Sequence, residues 1–500
     1  MTLTIDEMAS FCRMKGFLYQ SGDIYGGIAG FFDYGHLGVE LKNNIKAALW
    51  KYFVQSRDDV VGIDGSILTH PKIWEASGHI AEFADILIEC SKCKQRLRAD
   101  QYLEEMLKQE LPQGLTEPQI DSLIKKHKLQ CPKCKEAFLP AKKFNLMFST
   151  QVGPTGGLTS YLRPETAQLI FANFRLVTEH ARLKLPFGIA QIGKAFRNEI
   201  SPRDFLFRCR EFEQFEIEFF VDPTKGECPP FEEIADVEVQ VLLAGQTAVQ
   251  TMTIKQLAAK ELSSEWHFYW LAEFHQWFVR HGVKSQNLRL RQHSKEELAH
   301  YARACFDIEY HFPFGWKEIH GNADRSTFDL SQHAKVSGKD LSLFDEESKR
   351  KVIPAVAAEP SQGIERAFLA LLYEAYSYDK ERGNVVLKLH PKLAPYAIGV
   401  FPLVNKLDEK AREVHALLKP YLTCFYDRSG SIGRRYARAD EIGIYASVTV
   451  DFDTLNDSTV TIRARDTTAQ IRVPIAKLRE TLEKFLDATP LEKLGKLQKA

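Results

Sequence analysis

The strongest constraint in this 500-residue chain is a pair of strand-like segments that each carry arginine and carboxylate. The first ends Ala195-Phe196-Arg197-Asn198-Glu199. The second follows Arg208-Cys209-Arg210 and reads Glu211-Phe212-Glu213-Gln214-Phe215-Glu216-Ile217-Glu218-Phe219-Phe220. Residues 189–199 and 211–220 are predicted strands joined by a polar loop. Side chains alternate along a strand, so Phe215, Ile217 and Phe219 fall on one face and Phe212, Gln214, Glu216 and Glu218 on the other. Arg197 and Glu199 share a face of the first strand. A single arginine–glutamate pair is an ordinary sheet salt bridge. A whole hairpin presenting both from one surface points to a ligand.

Downstream, Glu359-Pro360-Ser361-Gln362-Gly363-Ile364-Glu365-Arg366 leads into a segment where Ile364, Phe368, Leu371 and Leu372 have helical spacing. Gly363 removes a side chain one turn from Arg366 and leaves room for a ligand. Upstream, a predicted helix over Leu41–Val54 precedes strand-like Ile67-Leu68-Thr69-His70-Pro71. The three segments, in this order, resemble motifs 1, 2 and 3 of the class II aminoacyl-tRNA synthetases. Four stretches narrow the resemblance to the homodimeric glycyl-tRNA synthetases: Asp33-Tyr34-Gly35-His36-Leu37-Gly38, Trp74-Glu75-Ala76-Ser77-Gly78-His79, Leu162-Arg163-Pro164-Glu165-Thr166-Ala167-Gln168 and the Glu359-Pro360-Ser361 lead into motif 3. Asn322-Ala323-Asp324-Arg325-Ser326-Thr327-Phe328-Asp329-Leu330 resembles the same family's signature before motif 3. His36 departs from the proline of that family. The resemblance covers nearly the whole chain. It implies an α/β (α+β) fold: the class II antiparallel sheet flanked by helices, with insertions and a C-terminal α/β anticodon-binding domain.

The layout follows. Residues 1–85 hold motif 1, 86–143 form a zinc-binding insertion, and 144–226 carry motif 2. A second insertion spans 227–310, 311–388 carry motif 3, and 389–500 form the anticodon-binding domain. In the second insertion Trp266, Phe268, Tyr269, Trp270, Phe274, Trp277 and Phe278 read as a packed element rather than a base-stacking platform. In the last domain, strand-like 396–403, a helix over 407–418, strand-like 422–426, a Gly/Arg-rich turn and strand-like 442–446 alternate. The stretch 388–500 has 19 Lys/Arg against 14 Asp/Glu, in a chain of zero formal net charge. Zero net charge excludes a general basic coat but not a local nucleic-acid patch. Arg428-Ser429-Gly430-Ser431-Ile432-Gly433-Arg434-Arg435-Tyr436-Ala437-Arg438 reads either as an RNA contact or as a solvated hairpin.

No apolar run approaches membrane-helix length and no basic-then-apolar segment opens the chain, so a cytoplasmic protein with no membrane association is expected. Four of the nine cysteines form Cys90-x-x-Cys93 and Cys131-x-x-Cys134. Two such pairs fit a closed, structural Zn²⁺ site better than free or redox-active thiols. Cys12, Cys209, Cys228, Cys305 and Cys424 have no paired spacing and are expected as buried small residues. No Gly-x-x-x-x-Gly-Lys-Ser/Thr occurs; Gly153–Gly157 reads as a turn.

The resemblance implies the chemistry. Glycine's carboxylate attacks the α-phosphate of ATP, giving glycyl-adenylate and pyrophosphate, and glycine then passes to the 3′ end of tRNA(Gly). The nucleophile is already ionised, so positioning and charge neutralisation by arginine and Mg²⁺ carry the step. By resemblance, Arg197 meets the α-phosphate and Arg366 the γ-phosphate. Phe212 stacks on adenine, and Glu199 and Arg208 flank the nucleotide. Glu216, Glu359 and Ser361 match ammonium-binding positions, with Glu165 beside them and Arg325 as the partner of the glycine carboxylate; Glu359 as an Mg²⁺ ligand is the alternative. Exclusion of any larger amino acid makes an editing domain unnecessary. Two other readings stay open. One is an amide ligase that uses the adenylate without tRNA, the other a non-catalytic accessory subunit. The C-terminal domain argues against the first, and the presence of both Arg197 and Arg366 against the second.

Overall fold

The computed structural model describes residues 3–109, 111–112, 114–154, 156–345 and 349–498. Its centre is a nine-stranded sheet. In spatial order the strands are Gln250–Thr253, Glu238–Leu242, Leu288–Gln292, Ala304–Phe312, Gly315–Asp324, Ala355–Gly363, Glu211–Val221, Phe187–Phe196 and Val60–Ile63. All neighbours are antiparallel except Glu238–Leu242 with Leu288–Gln292 and Val60–Ile63 with Phe187–Phe196.

Alternation in the central hairpin sorts the two faces of this sheet. Phe215 and Phe219 point to helix Glu265–Arg280, where Phe219 meets Trp266 at 4.6 Å and Trp270 at 5.1 Å. Ser264 caps that helix by accepting from His267 N. The aromatic stripe therefore belongs to the core, and segment 227–310 supplies three whole strands of the main sheet, most of a fourth (Ala304–Phe312) and this helix. The opposite face carries the acids. Helix Ile364–Ala375 follows directly from strand Ala355–Gly363 and is buried along Ile364, Phe368, Leu371 and Leu372.

The upstream segment differs from the sequence reading. Its helix runs His36–Trp50 and ends in a wider turn over Lys51–Gln55. The strand that joins the main sheet is Val60–Ile63, whereas Leu68–Thr69 joins a small sheet and Pro71 opens helix Pro71–Ala76. Proline suits that first helical position because the N–H it lacks has no acceptor there. His36 opens its helix over Gly16, where a Cβ would lie 2.5 Å from the imidazole. The turn at 153–157 joins two paired strands, with Thr155 outside the described residues.

Cys90, Cys93, Cys131 and Cys134 belong to a small module built on strands Ala84–Glu89, Arg96–Arg98 and Lys142–Asn145 and helices Ala99–Leu107 and Glu117–Lys126. It has its own core around Ile88, Leu103 and Ile120. The C-terminal unit is a five-stranded sheet with a separate core. Its strands run Cys424–Tyr426, Ile398–Pro402, Ala446–Val450, Thr459–Ala464 and Gln470–Pro474, the first three parallel. The expected strand at 442–446 begins at Ala446 instead, because Gly443 (φ 84°) turns the chain first. Arginines join this unit to the rest: buried Arg465 donates to the carbonyl of Leu389 at 2.9 Å, and half-buried Arg382 donates to Asp440, which Arg463 also holds from within the unit. No helix among the described residues is long and apolar enough to cross a membrane.

Candidate active site

A cleft of about 190 Å³ opens on the acidic face of the sheet. It brings together Arg197, Glu199, Arg208, Phe212 and Arg366, the residues assigned to ATP, with Ser361. Arg197 and Glu199 lie just beyond the strand, which ends at Phe196. Backbone pairing of Arg197 N with Arg210 O at 2.9 Å extends the hairpin to them. Arg197 Nε donates to Pro164 O at 3.0 Å, and its guanidinium lies over the rings of Phe83 and Phe212. Arg366 stands in the first turn of its helix, with Nη1 2.7 Å from Glu318 Oε1 and its guanidinium 4.5 Å from the Phe207 ring centre. A Cβ at Gly363 would lie in the cleft, 3.6 Å from Arg366 Cδ. Arg208 Nε lies 3.7 Å from Glu199 Oε2. Burial pulls the Arg208 guanidinium down, against Glu199. In the cysteine-bearing module Arg98 is ion-paired with Asp85 and Asp100.

Behind the cleft lies a buried charge cluster. Glu216 accepts from Ser361 Oγ at 2.7 Å, Gln214 Nε2 at 3.0 Å, and both the N–H and hydroxyl of Thr166. Glu165 faces His79 Nε2 at 3.2 Å and accepts from Gln168. Arg325 is 1 % exposed; its Nη1 donates to Glu359 at 2.5 Å and its Nε and Nη2 to Asp329 at 2.7 and 2.8 Å. Tyr301 covers its face at 3.8 Å. Every guanidinium nitrogen of Arg325 is thus already committed to a carboxylate. Arg325 is the counter-ion of Glu359 and Asp329, and these contacts engage three of the five N–H donors of its guanidinium. Five carboxylates (Glu165, Glu216, Glu218, Glu359, Asp329) meet here with Arg325, His79 and Arg197. Burial raises Glu359, and Glu216 and Glu165 add to that against Arg325. Burial also raises Glu216, with Glu165 adding to it. At Glu165 burial acts upward, but His79, Arg325 and Arg197 outweigh it and hold the carboxyl well below its ordinary range. Such an acid excess favours a small cation.

Sequence reasoning missed Glu318, Asp329 and Glu218 as site members. Asp329 follows Arg325 by four residues, the spacing that meets across one helical turn. Glu218 shares a strand face with Glu216, which alternation had already shown.

Sγ atoms of Cys90, Cys93, Cys131 and Cys134 lie within 4.8 Å of one another, with Cys90–Cys134 at 3.4 Å and Cys93–Cys131 at 3.6 Å. These separations are far beyond a disulfide's ~2.05 Å. They approach the ~3.8 Å edge of a tetrahedron with ~2.3 Å metal–sulfur bonds. Among the other cysteines, Cys305 and Cys424 are only half-buried, and Cys305 sits beside His293 and Asp307. The Gly/Arg-rich turn becomes helix Ile432–Glu441. Arg435 is buried and donates to Pro402 O and Gly430 O, and Arg438 pairs with Asp427. Arg434 remains exposed, as does Arg428, which pairs with Asp408.

An arginine-lined cleft on a large, mainly antiparallel sheet, with a separate C-terminal α/β unit, defines a class II aminoacyl-tRNA synthetase. The solved prolyl-tRNA synthetase of Cryptosporidium parvum complexed with halofuginone and AMPPNP shares the fold: TM-score 0.57 at 13% identity, covering 98% of this chain and 76% of that one. Residues 397–485 match the anticodon binding domain family. The glycine–tRNA ligase of Caldanaerobacter subterraneus subsp. tengcongensis is 46% identical over 97% of this chain and 99% of its own length. That of Geobacillus kaustophilus is 44% identical over the same shares. The chain belongs to the glycine–tRNA ligase family.

Proposed function

We propose that glycyl-adenylate forms in this cleft, in the first half of an ATP-dependent ligation of glycine to tRNA(Gly). Glycine's ammonium sits among Glu165, Glu216 and Glu359, with the Ser361 hydroxyl beside it, and a larger amino acid would drive its Cβ into that wall. The glycine carboxylate then points toward Arg197, which also meets the α-phosphate. Arg366 takes the γ-phosphate and Phe212 stacks on adenine, while Glu199 and Arg208 flank the nucleotide. Mg²⁺ neutralises phosphate charge when it arrives with ATP, and Glu318, at the cleft edge, offers it a hard oxygen ligand. The chain's own contribution is positioning and fixed positive charge; no general base is needed.

The observation that carries this reading is Ser361. It lines the nucleotide cleft, and its hydroxyl donates to Glu216 of the acid cluster, so the two substrates meet there. Glu216→Ala and Glu359→Ala should each raise the glycine KM roughly 10- to 100-fold in ATP–pyrophosphate exchange, the scale of losing a charged hydrogen-bond partner, and leave the ATP KM nearly unchanged. An equal rise in both constants would contradict the pocket assignment.

The C-terminal unit would bind the tRNA anticodon, with Arg428 and Arg434 as its exposed cations. The four-cysteine set fits one structural Zn²⁺ per chain, which would tie the two turns of its module together. A homodimer is supported by strand Val60–Ile63, which ends the main sheet with an open edge, and by the exposed Ile24, Tyr25 and Ile28. A cytoplasmic location is part of the same proposal.

A further inference from the structure

Among the described residues, Glu165, Glu216, Glu359 and Asp329 each have a hydrogen-bond or ion-pair partner, whereas Glu218 has none. Glu218 is fully buried and neither of its carboxyl oxygens is hydrogen-bonded. It lies two residues beyond Glu216 and so on the same strand face. The register that pairs Glu216 with Ser361 and Phe219 with Ala358 sets Glu218 opposite Glu359, and on its other side it faces Ile189. Like charges directly opposite on neighbouring strands repel. Arg325, the nearest guanidinium, is committed to Glu359 and Asp329. A buried carboxylate in that position keeps its proton instead.

We propose that Glu218 is a positioning residue for glycine activation, a proton-bearing acid that backs Glu359 and limits the negative charge of the ammonium pocket. This rests on the glycine-pocket reading above. Glu216 faces Glu218 from its own strand, Glu359 from the adjacent strand, and Arg325 and Asp329 from the turn and helix beyond; the strand on its other side presents Ile189. Burial, with Glu359 adding to it, drives the Glu218 carboxyl well above the carboxylate range, in agreement with the geometry. An ionised Glu218 would add a charge with no counter-ion and pull Arg325 away from Glu359. An apolar side chain there would deepen the desolvation of Glu359 on the strand opposite and so weaken its hold on an ammonium.

The test uses the full chain in glycine-dependent ATP–pyrophosphate exchange. Glu218→Leu should raise the glycine KM about 10-fold with little change in the ATP KM. Glu218→Gln, uncharged but able to donate, should bring the glycine KM back to within about 3-fold of the parent. Its kcat/KM for glycine should follow the parent's pH profile from about pH 6 to about pH 8. A Glu218→Gln variant that is as impaired as Glu218→Leu, or whose pH profile departs from the parent's, overturns the proposal, as does an unchanged glycine KM in a folded Glu218→Leu. If Glu218→Leu does not fold, the KM and pH profile of Glu218→Gln still decide. Glu359→Gln separates the two readings. If it too leaves the glycine KM unmoved, the pocket assignment has failed; if it alone raises the KM, only the role of Glu218 falls.

Discussion

Arg366 and Glu318 form a unit whose parts contribute unequally. Arg366→Ala removes a preorganised cation from the cleft, a loss of about 10²-fold in adenylate formation; its 26 % side-chain exposure favours the lower end of the usual range. Glu318→Gln leaves the arginine in place. Its Nη1 still reaches the Glu318 carbonyl at 3.2 Å, and the Phe207 ring still lies under the guanidinium at 4.5 Å. What is lost is the 2.7 Å carboxylate contact that fixes the guanidinium's angle. That contact is partly exposed and is worth about 1 kcal/mol, or roughly 5-fold in rate. If Glu318 acts through Arg366, the double variant is no slower than Arg366→Ala alone, because residues in contact do not add. Single-turnover adenylate formation on the four proteins measures the cycle. A double variant slowed by the product of the two single effects would show that Glu318 acts independently, and near-parental rates in Arg366→Ala would refute the assignment of the cleft.

Three further outcomes are expected. Elemental analysis of protein purified without chelator should give one zinc per chain, and Cys131→Ser should lose that zinc and unfold its module at a lower temperature; four readily titratable thiols and no zinc would refute the metal site. Burial pushes the Glu365 carboxyl up from 4.5 to about 7, against the hydrogen bond from Glu213 N and the Lys42 ammonium. Because the folded value is the higher one, Glu365's contribution is whole below about pH 4.5 and is lost as pH rises through 7, so Glu365→Gln should gain on the parent by up to about 3 kcal/mol between about pH 5 and pH 8 in urea unfolding. Cutting the chain near Leu389 should preserve glycyl-adenylate synthesis but abolish efficient tRNA charging, and it should also destabilise the catalytic part, since the cut strips Arg465 from the Leu389 carbonyl and Asp440 from Arg382. A stable truncation that charges tRNA normally would contradict the role given to residues 389–500.

The central hairpin was legible because alternation alone assigns Phe215, Ile217 and Phe219 to the core and the acids to the other face. Gly363 and Arg366 were legible because a helix start after a buried strand leaves a recognisable spacing. What stayed hidden was pairing over long range. Nothing local places Glu359 between Glu218 and Ala323 on neighbouring strands, and nothing local pairs Arg325 with both Asp329 and Glu359. The upstream strand was misplaced because Val60–Ile63 is only four residues long and Leu68–Thr69 has a similar apolar texture. The basic segment after Arg428 was read as a turn because Gly430 and Gly433 mask a helix that Ser431 caps through Arg434 N.

The most direct test of the central claim is ATP–pyrophosphate exchange with each of the twenty amino acids in turn, followed by transfer to tRNA. Glycine alone should drive rapid exchange, and only glycine should appear on tRNA. Exchange driven better by alanine or serine, or none with glycine, would contradict the assignment of the acid-lined pocket behind Arg197.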